Sequence, residues 1–353
     1  MSWDGSGYGG HAEHGTLTRA ASTWYLAEGA THGSFDLFYL IQNPGDAGTT
    51  IEVKFLRPAP KAPVIKQYPI GPQSRFTLHV DAIPELAAED LSAVVSSTDG
   101  TPIVVERAMY SSLPGQPFAA GHNSAGVTAP ATRWFLAEGA TGSFFDLFVL
   151  IANPSNEAAE VDVEFLLDNG TVVPKHYRIA ANSRYTMLVD GEDPRLRDAA
   201  VSTIVTSSNL VPIVVERVMW WPSPIWYEGH NSPGETTTGT RWALAEGESG
   251  GPRNKQTYIL VANTSDFAGT ARVTLLFEDG TTAERVVALR PKSRVNVPVD
   301  AATFPTAANR RYGAVVESLG ATPAQIVVER AQYWDANGVV WAAGTNALAT
   351  KLQ

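Results

Sequence analysis

Apolar and polar residues alternate with a period of two along most of this chain, and runs at helical spacing are nearly absent. In IEVKF, Ile51, Val53 and Phe55 face one way while Glu52 and Lys54 face the other; VDVEF repeats this with Val161, Val163 and Phe165. RFTLHV, RYTMLV and RVNVPV place Phe76, Leu78 and Val80, then Tyr185, Met187 and Val189, then Val295, Val297 and Val299 on their inward faces. Such segments predict antiparallel strands with one wet face. Asp99-Gly100, Asn169-Gly170 and Asp279-Gly280 supply hairpin turns between them. Two strands break the alternation. DLFVLIAN sets Phe148 and Leu150 on one face and Leu147, Val149 and Ile151 on the other, and YILVAN at 258–263 is apolar on both faces as well. A strand of that kind is central and covered twice, by its own sandwich and by a neighbouring domain or a looping segment.

The pattern recurs. Tryptophans at 24, 134 and 242 open segments reading WYLAEG, WFLAEG and WALAEG, and asparagines at 43, 153 and 263 close the apolar run that follows. A repeat of roughly 110 residues is longer than a solenoid unit and reads as one domain present three times. The predicted division is a tail or partial joint over 1–20, copies over 21–128 and 129–237, and a third copy with its C-terminal joint over 238–353. Some seven short strands per copy predict three tandem immunoglobulin-like antiparallel β-sandwich domains, with a small closed barrel per copy as the alternative. The joining segments AGHNSAGVTAPAT and EGHNSPGETTTGT resemble both the N-terminal GGHAEHGTLTRAAS and the C-terminal AAGTNALATKLQ. The expectation is therefore a segment cut from, or sitting at one end of, a longer array.

Composition narrows the function classes. With 26 basic and 36 acidic residues the net charge is −10, which argues against a phosphate-tracking surface and hence nucleic acid. The absence of cysteine excludes disulfides, thiolate metal sites and a cysteine nucleophile. No apolar run reaches the ~20 residues of a membrane span. The first residues lack the basic start and apolar core of a signal peptide.

The last strand of each copy reads IVVERAMY, IVVERVMW and IVVERAQY. Neighbours in a strand face opposite ways, so Glu106 and Arg107, Glu216 and Arg217, and Glu329 and Arg330 each divide between two faces lined by apolar residues. At least one of each pair is expected buried and partnered. Candidate partners are Glu28, Glu138 and Glu246 in LAEG, and Arg75, Arg184 and Arg294 in the SR dipeptides. His122 and His230 hold equivalent GHNS positions, with His11 a possible third. No HxH or HxxxH spacing accompanies them and Thr345 replaces the histidine in copy three, so a turn histidine bonding backbone carbonyls is the reading taken. Asp36 and Asp146 could join loop carbonyls around Ca²⁺, but Gln256 stands there in copy three and no calcium-loop motif occurs, so surface turns are expected. Asp81, Asp190 and Asp300 are read as turn caps. No GxSxG elbow or serine with an obvious base is present, and neither an enzyme nor a cofactor is expected. The aromatic segments hold Trp220, Trp221, Trp226 and Tyr227 in copy two and Tyr333, Trp334 and Trp341 in copy three. They read as inter-domain packing, with sugar stacking as the alternative.

Taken together, WYLAEGAT…FDLFYLIQNP, SRFTLHVD, PIVVERAMY and GHNS resemble the tandem WYFAEG…IQNP…ERPMYF…GGHD repeats of large secreted or surface proteins of Actinobacteria, Chloroflexi and related bacteria. The likeness spans nearly the whole chain. It departs in copy three, which lacks the Phe-Asp and His positions, and at Ala108 and Val218, where the family pattern has proline. The resemblance implies an extracellular or cell-surface location, with the export signal lying outside this chain, and it supplies no catalytic residues. The expectation is a structural or adhesive module that spaces other domains. Its partners would be other cell-envelope proteins, copies of itself or a polysaccharide. The alternatives are a carbohydrate-binding module and an accessory region of a cell-wall enzyme.

Overall fold

The computed structural model describes residues 20–353 of the 353-residue chain. His11 and nearly all of the expected N-terminal tail lie outside the described residues. Among those described the protein is all-β, with short helical turns of three or four residues and five sheets. No helix among them is long and apolar enough to cross a membrane.

The first period supplies β1 (Thr23–Leu26), β2 (Phe35–Asn43), β3 (Thr49–Pro58), β4 (Val64–Ile70), β5 (Ser74–His79), β6 (Ser92–Ser97), β7 (Val104–Leu113) and β8 (Gln116–Ala125). They pair antiparallel as β1-β6-β3-β4 and β5-β2-β7-β8. The second period follows with β9 (Arg133–Leu136), β10 (Asp146–Asn153), β11 (Ala159–Leu167), β12 (Val172–Ile179), β13 (Ser183–Leu188), β14 (Val201–Ser207), β15 (Val214–Trp221) and β16 (Glu228–Pro233). Their orders, β12-β11-β14-β9 and β13-β10-β15-β16, match the first set strand for strand. The third has β17 (Arg241–Leu244), β18 (Gln256–Asn263), β19 (Gly269–Phe277), β20 (Thr282–Leu289), β21 (Ser293–Val299), β22 (Tyr312–Leu319), β23 (Ile326–Ala336), β24 (Val339–Leu348) and a short β25 (Thr350–Lys351). These pair as β20-β19-β22-β17-β25 and β21-β18-β23-β24. A parallel bridge, Ser183 to Arg57 and Arg184 to Pro58, links β13 to β3 and fuses two sheets of adjacent periods into one of eight strands.

The recurring sequence marks have local causes. Trp24 and Trp134 are buried and donate their indole N–H to the carbonyls of Ile103 (2.8 Å) and Ile213 (2.9 Å), tying the first strand of a period to the residue that leads into β7 or β15. Asn43, Asn153 and Asn263 end β2, β10 and β18 fully buried. Asn43 Nδ2 donates to the carbonyls of Ala47 and Gly71, while its Oδ1 accepts the Gly45 N–H (3.0 Å). Asn153 and Asn263 repeat that arrangement around Ser155 and Ser265. One amide thus satisfies three backbone groups of a buried turn, which only Asn or a close analogue can do.

The inward faces follow the alternation, except at one position. Tyr185 was expected inward but is 37% exposed, and Phe76 and Val295 at the same place are half-buried. These residues lie near the start of β5, β13 and β21, at the rim between sheets. There the Tyr185 ring packs on Tyr177 (5.1 Å) and Phe76 on Tyr68 (5.2 Å). The strands apolar on both faces are covered twice. Leu150, Ala152, Val214 and Val218 on the second face of β10 and β15 are at most 5% exposed. Leu260 and Ala331 of the third period belong to the same apolar cluster as the first two periods, and Phe135, Ala137, Leu166 and Ile204 of the second belong to that of the third. The core therefore continues from one period into the next.

Candidate functional site

The IVVER strands build the most distinctive polar feature of the protein. In β7, Arg107 shares the core-facing side with Val105 and Met109 and is fully buried. Its Nη1 donates to the Glu28 carbonyl (2.9 Å) and its Nη2 to Glu28 Oε2 (2.7 Å). The neighbouring glutamate points the other way, so its function appears one period later. Glu216 of β15 reaches back into the first period: Oε2 lies 2.8 Å from Arg107 Nη2, and Oε1 accepts the Ala27 N–H at 2.6 Å. The second joint is the same. Arg217 Nη2 donates to Glu138 (2.8 Å) and to Glu329 of β23 (3.0 Å), and Glu329 Oε1 accepts the Ala137 N–H (2.7 Å). Each joint is a glutamate–arginine–glutamate clamp with one carboxylate from each side.

The GHNS strands complete these clamps, and here the expectation is corrected. His122 and His230 are not turn histidines bonded to carbonyls. They lie within β8 and β16, are at most 3% exposed and face the buried carboxylates: His122 Nε2 is 3.4 Å from Glu28 Oε1, and His230 Nε2 is 3.5 Å from Glu138 Oε1. β8, β16 and β24 pack beside one another. With its amide oriented to satisfy its neighbours, Asn231 of β16 accepts from Arg107 Nη2 (2.6 Å) and donates to His122 Nδ1 (3.0 Å). In the second joint Tyr333 takes part instead, its hydroxyl 3.3 Å from Glu138 Oε1 and 3.4 Å from His230 Nε2.

The SR arginines are also corrected. None pairs with a glutamate of an IVVER strand. Arg184 is buried and crosses to the first period, where Nε donates to Ser92 Oγ (3.1 Å) and Nη1 lies 3.5 Å from Asp90. Arg294 crosses to the second and donates through Nη1 to the carbonyls of Val201 (2.7 Å) and Gly139. Arg75, with no earlier described period beside it, is exposed. Lys292 Nζ to Glu164 (3.0 Å) and Lys54 to Asn182 add ion and hydrogen bonds at the two joints.

Trp220 and Trp221 end β15 buried. Trp221 lies against Tyr333 (5.4 Å) and Phe145 (5.8 Å) and donates its indole N–H to the Trp341 carbonyl (2.8 Å). Trp341 is half-buried and stacks on Tyr333 (4.9 Å) and Phe145 (5.7 Å). Across the other joint Trp220 contacts Phe35 (5.3 Å) and His122 (5.2 Å). Trp226 stacks on Trp220 (6.3 Å) and donates to Asp146 Oδ2 (2.5 Å). Tyr227 and Trp334 are half-buried. The glycine before His122, His230 and Thr345 of the joint strands has a steric cause. A Cβ on Gly121 would lie 2.5 Å from the Tyr110 ring, on Gly229 2.4 Å from Trp220, and on Gly344 2.8 Å from Tyr333. The aromatic of one strand lies flat over the glycine opposite.

Electrostatics differ between the two joints although the clamp is shared. Burial alone would lift Glu28, but His122 and Arg107 more than offset it and hold its carboxyl below the usual range. Glu138 is pushed up to about 7, chiefly by burial and further by Glu329, against the pull of Arg217. His230 is held well below the ordinary histidine range by burial and by Arg217. Burial also lowers Arg184, and brings Arg294 down to about 10. Glu228, at the start of β16, lies well above the carboxylate range because it is buried, with the Gly229 N–H (3.0 Å) working against that.

The remaining candidates disperse. Asp36, His79 and Asp81 bring one ligand atom each within 4.8 Å of one another. Asp81 already accepts the Leu37 N–H (2.8 Å), and His79 stacks on Phe38 (4.5 Å). Asp190 accepts from Gly142 and Leu147, so this aspartate and Asp81 fix the start of a facing strand, whereas Asp300 caps its own turn through Thr303 (2.7 Å). Joint partners that the sequence reading did not single out are the amides of Ala27 and Ala137, Ser92 and Asn231. Their signal was the repetition itself, since Ala27, Ala137 and Asn231 stand in the LAEG and GHN motifs.

No family model matches this chain, and no curated protein matches it in sequence. Among solved structures, the Thermotoga maritima 1070 protein is 19% identical over 32% of this chain and 94% of its own, with a TM-score of 0.28. The Anabaena sensory rhodopsin transducer is 22% identical over 26% and 90%, at 0.23. The tetra-tandem repeat from the extending region of a large adhesion protein is 10% identical over 94% and 88%, at 0.14. Scores this low establish no shared fold. What the strands and joints themselves define is an all-β protein of several sheets, with its periods locked by buried charge.

Proposed function

We propose that the protein is a non-catalytic structural module: three tandem β-sandwich blocks of immunoglobulin-like type that act as a rigid spacer in a bacterial surface protein. One observation carries this reading. Among the residues constant between the periods, Glu and Arg of IVVER and Glu of LAEG meet at both internal joints and hold one period against the next. Burying two carboxylates on one guanidinium costs several kcal/mol per ion in desolvation and is recovered only in fixed geometry. Such a joint therefore specifies orientation more than it adds stability. A spacer needs that property.

The aromatic residues support the same reading over sugar binding. A carbohydrate platform requires exposed, coplanar rings, whereas Trp220 and Trp221 are buried against the neighbouring period. The test is acrylamide quenching of tryptophan fluorescence with a panel of soluble cell-wall polysaccharides. Poor quenching, unchanged by every glycan, is expected. Strong quenching relieved by one glycan would replace the spacer with a carbohydrate-binding module.

A further inference from the structure

The two joints leave complementary surfaces at the ends of the described chain. In the third period Arg330 makes half of a clamp: Nη1 donates to both the Glu246 carbonyl (2.9 Å) and Oε2 (2.8 Å), groups that in the first period are shared between Nη1 and Nη2 of Arg107. The Nη2 position, which holds Glu216 on Arg107 and Glu329 on Arg217, makes no hydrogen bond among the described residues. The Glu246 side chain is 70% exposed where Glu28 and Glu138 are 3%. Leu276 is 44% exposed where Leu56 and Leu166 are fully buried. A groove of about 670 Å³ borders Ala245, Glu246 and Arg330 and runs on along the joint strands of all three periods, past His230 and Asn231 to His122 and Asn123. At the other end the Glu106 side chain has no hydrogen-bond or ion-pair partner among the described residues and the residue is only half-buried, and Arg75 is exposed. Leu40 is half-buried and Gln42 exposed, where Leu150 and Ala152 are covered.

We propose that a second copy of this chain occupies that end, with Glu106 and Arg75 of one molecule docking on Arg330, the Ala245 N–H and Leu276 of another in a repetition of the internal joint. Two arguments on the molecule itself commit the site to a second copy. The same interface is already made twice within the chain, by residues at the same motif positions. The charge also matches, since an unpaired glutamate meets a guanidinium whose Nη2 and Nε make no hydrogen bond among the described residues. The contact is heterologous, so it propagates head to tail into filaments unless the rotation closes a ring. The inference rests on the spacer reading, because a chain whose periods are not locked this way offers no template for the contact.

The test is sedimentation velocity on the full chain over a wide concentration series, at low and high salt, with two surface variants that each block one end. Glu106→Arg removes the reaching carboxylate but keeps the receiving end; Leu276→Arg spoils the receiving end but keeps Glu106. Both positions are partly exposed, so folding is retained, and near-ultraviolet circular dichroism checks it. Wild type is expected to show mass rising with concentration, while each variant alone associates about 30-fold or more weakly. Mixing the two variants restores a single competent pair of ends, and a 1:1 dimer that grows no further is expected. The proposal is overturned if wild type stays monomeric throughout, if either variant associates like wild type, or if the mixture gives no dimer. Each of these would leave the internal joints to be judged separately, by the stability of the dilute monomer.

Discussion

The repetition of one glutamate in three different surroundings provides an internal control. Glu216 and Glu329 are buried and each makes an ion pair and a backbone hydrogen bond across a joint, while Glu106 occupies the same motif position without either. Glu216→Ala removes one of the carboxylates on Arg107 and leaves the Ala27 N–H buried without an acceptor. Breaking a buried pair costs about 3–5 kcal/mol, and an orphaned amide about 1–3 kcal/mol. Because Glu28 still neutralises Arg107, the lower part of the combined range of about 4–8 kcal/mol applies, about 4–5 kcal/mol. Glu329→Ala follows the same arithmetic at the second joint. Glu106→Ala should fall within about 0.5 kcal/mol of wild type, as other surface changes do. The assay is urea denaturation of the dilute monomer followed by tryptophan fluorescence, with transitions fitted as nearest-neighbour coupled units. The reasoning fails if Glu106→Ala costs as much as Glu216→Ala, or if Glu216→Ala costs less than about 1 kcal/mol.

Three further predictions concern the same joints. Because the folded protein holds the Glu138 proton up to about pH 7 while the unfolded chain releases it near 4.5, stability should fall as pH rises through that window. Glu138→Gln should flatten the slope, which denaturation midpoints from about pH 5 to about pH 8 would measure. His230 stays neutral in the folded state while the unfolded chain takes a proton near 6.5, so its contribution is lost as pH falls below that value. Histidine NMR titration should show His230 unprotonated over the range in which the exposed His176, raised by Asp162, takes its proton. Gly229→Ala drives a methyl into the Trp220 ring and should cost about 1–3 kcal/mol by thermal denaturation, without loss of the β spectrum.

Much of this architecture was legible in the chain, and the limits are physical. Period-two alternation located the strands because each has one wet face, and DLFVLIAN declared itself covered on both sides because no polar residue interrupts it. The opposite facing of Glu106 and Arg107 followed from strand geometry alone. Which glutamate meets which arginine did not, since Glu216 lies 189 residues from the Ala27 amide it accepts. A local pattern reports that a side chain is covered, not by what. The histidines were misread for the same reason: the carboxylates that face them, Glu28 and Glu138, come from the segments just after β1 and β9, distant in sequence. Tyr185 was misplaced because alternation carries no information about where a strand meets the rim of its sheet.

The central claim is that the outward glutamate of one period closes the backbone of the period before it. Amide hydrogen exchange reads this directly, because Ala27 and Ala137 donate to Glu216 and Glu329 while Ala245, the third alanine of the LAEG motif, has no such acceptor among the described residues. In the dilute monomer, the Ala27 and Ala137 amides should exchange only on global opening of a joint and Ala245 close to the free-peptide rate. Equal exchange at all three would contradict the account.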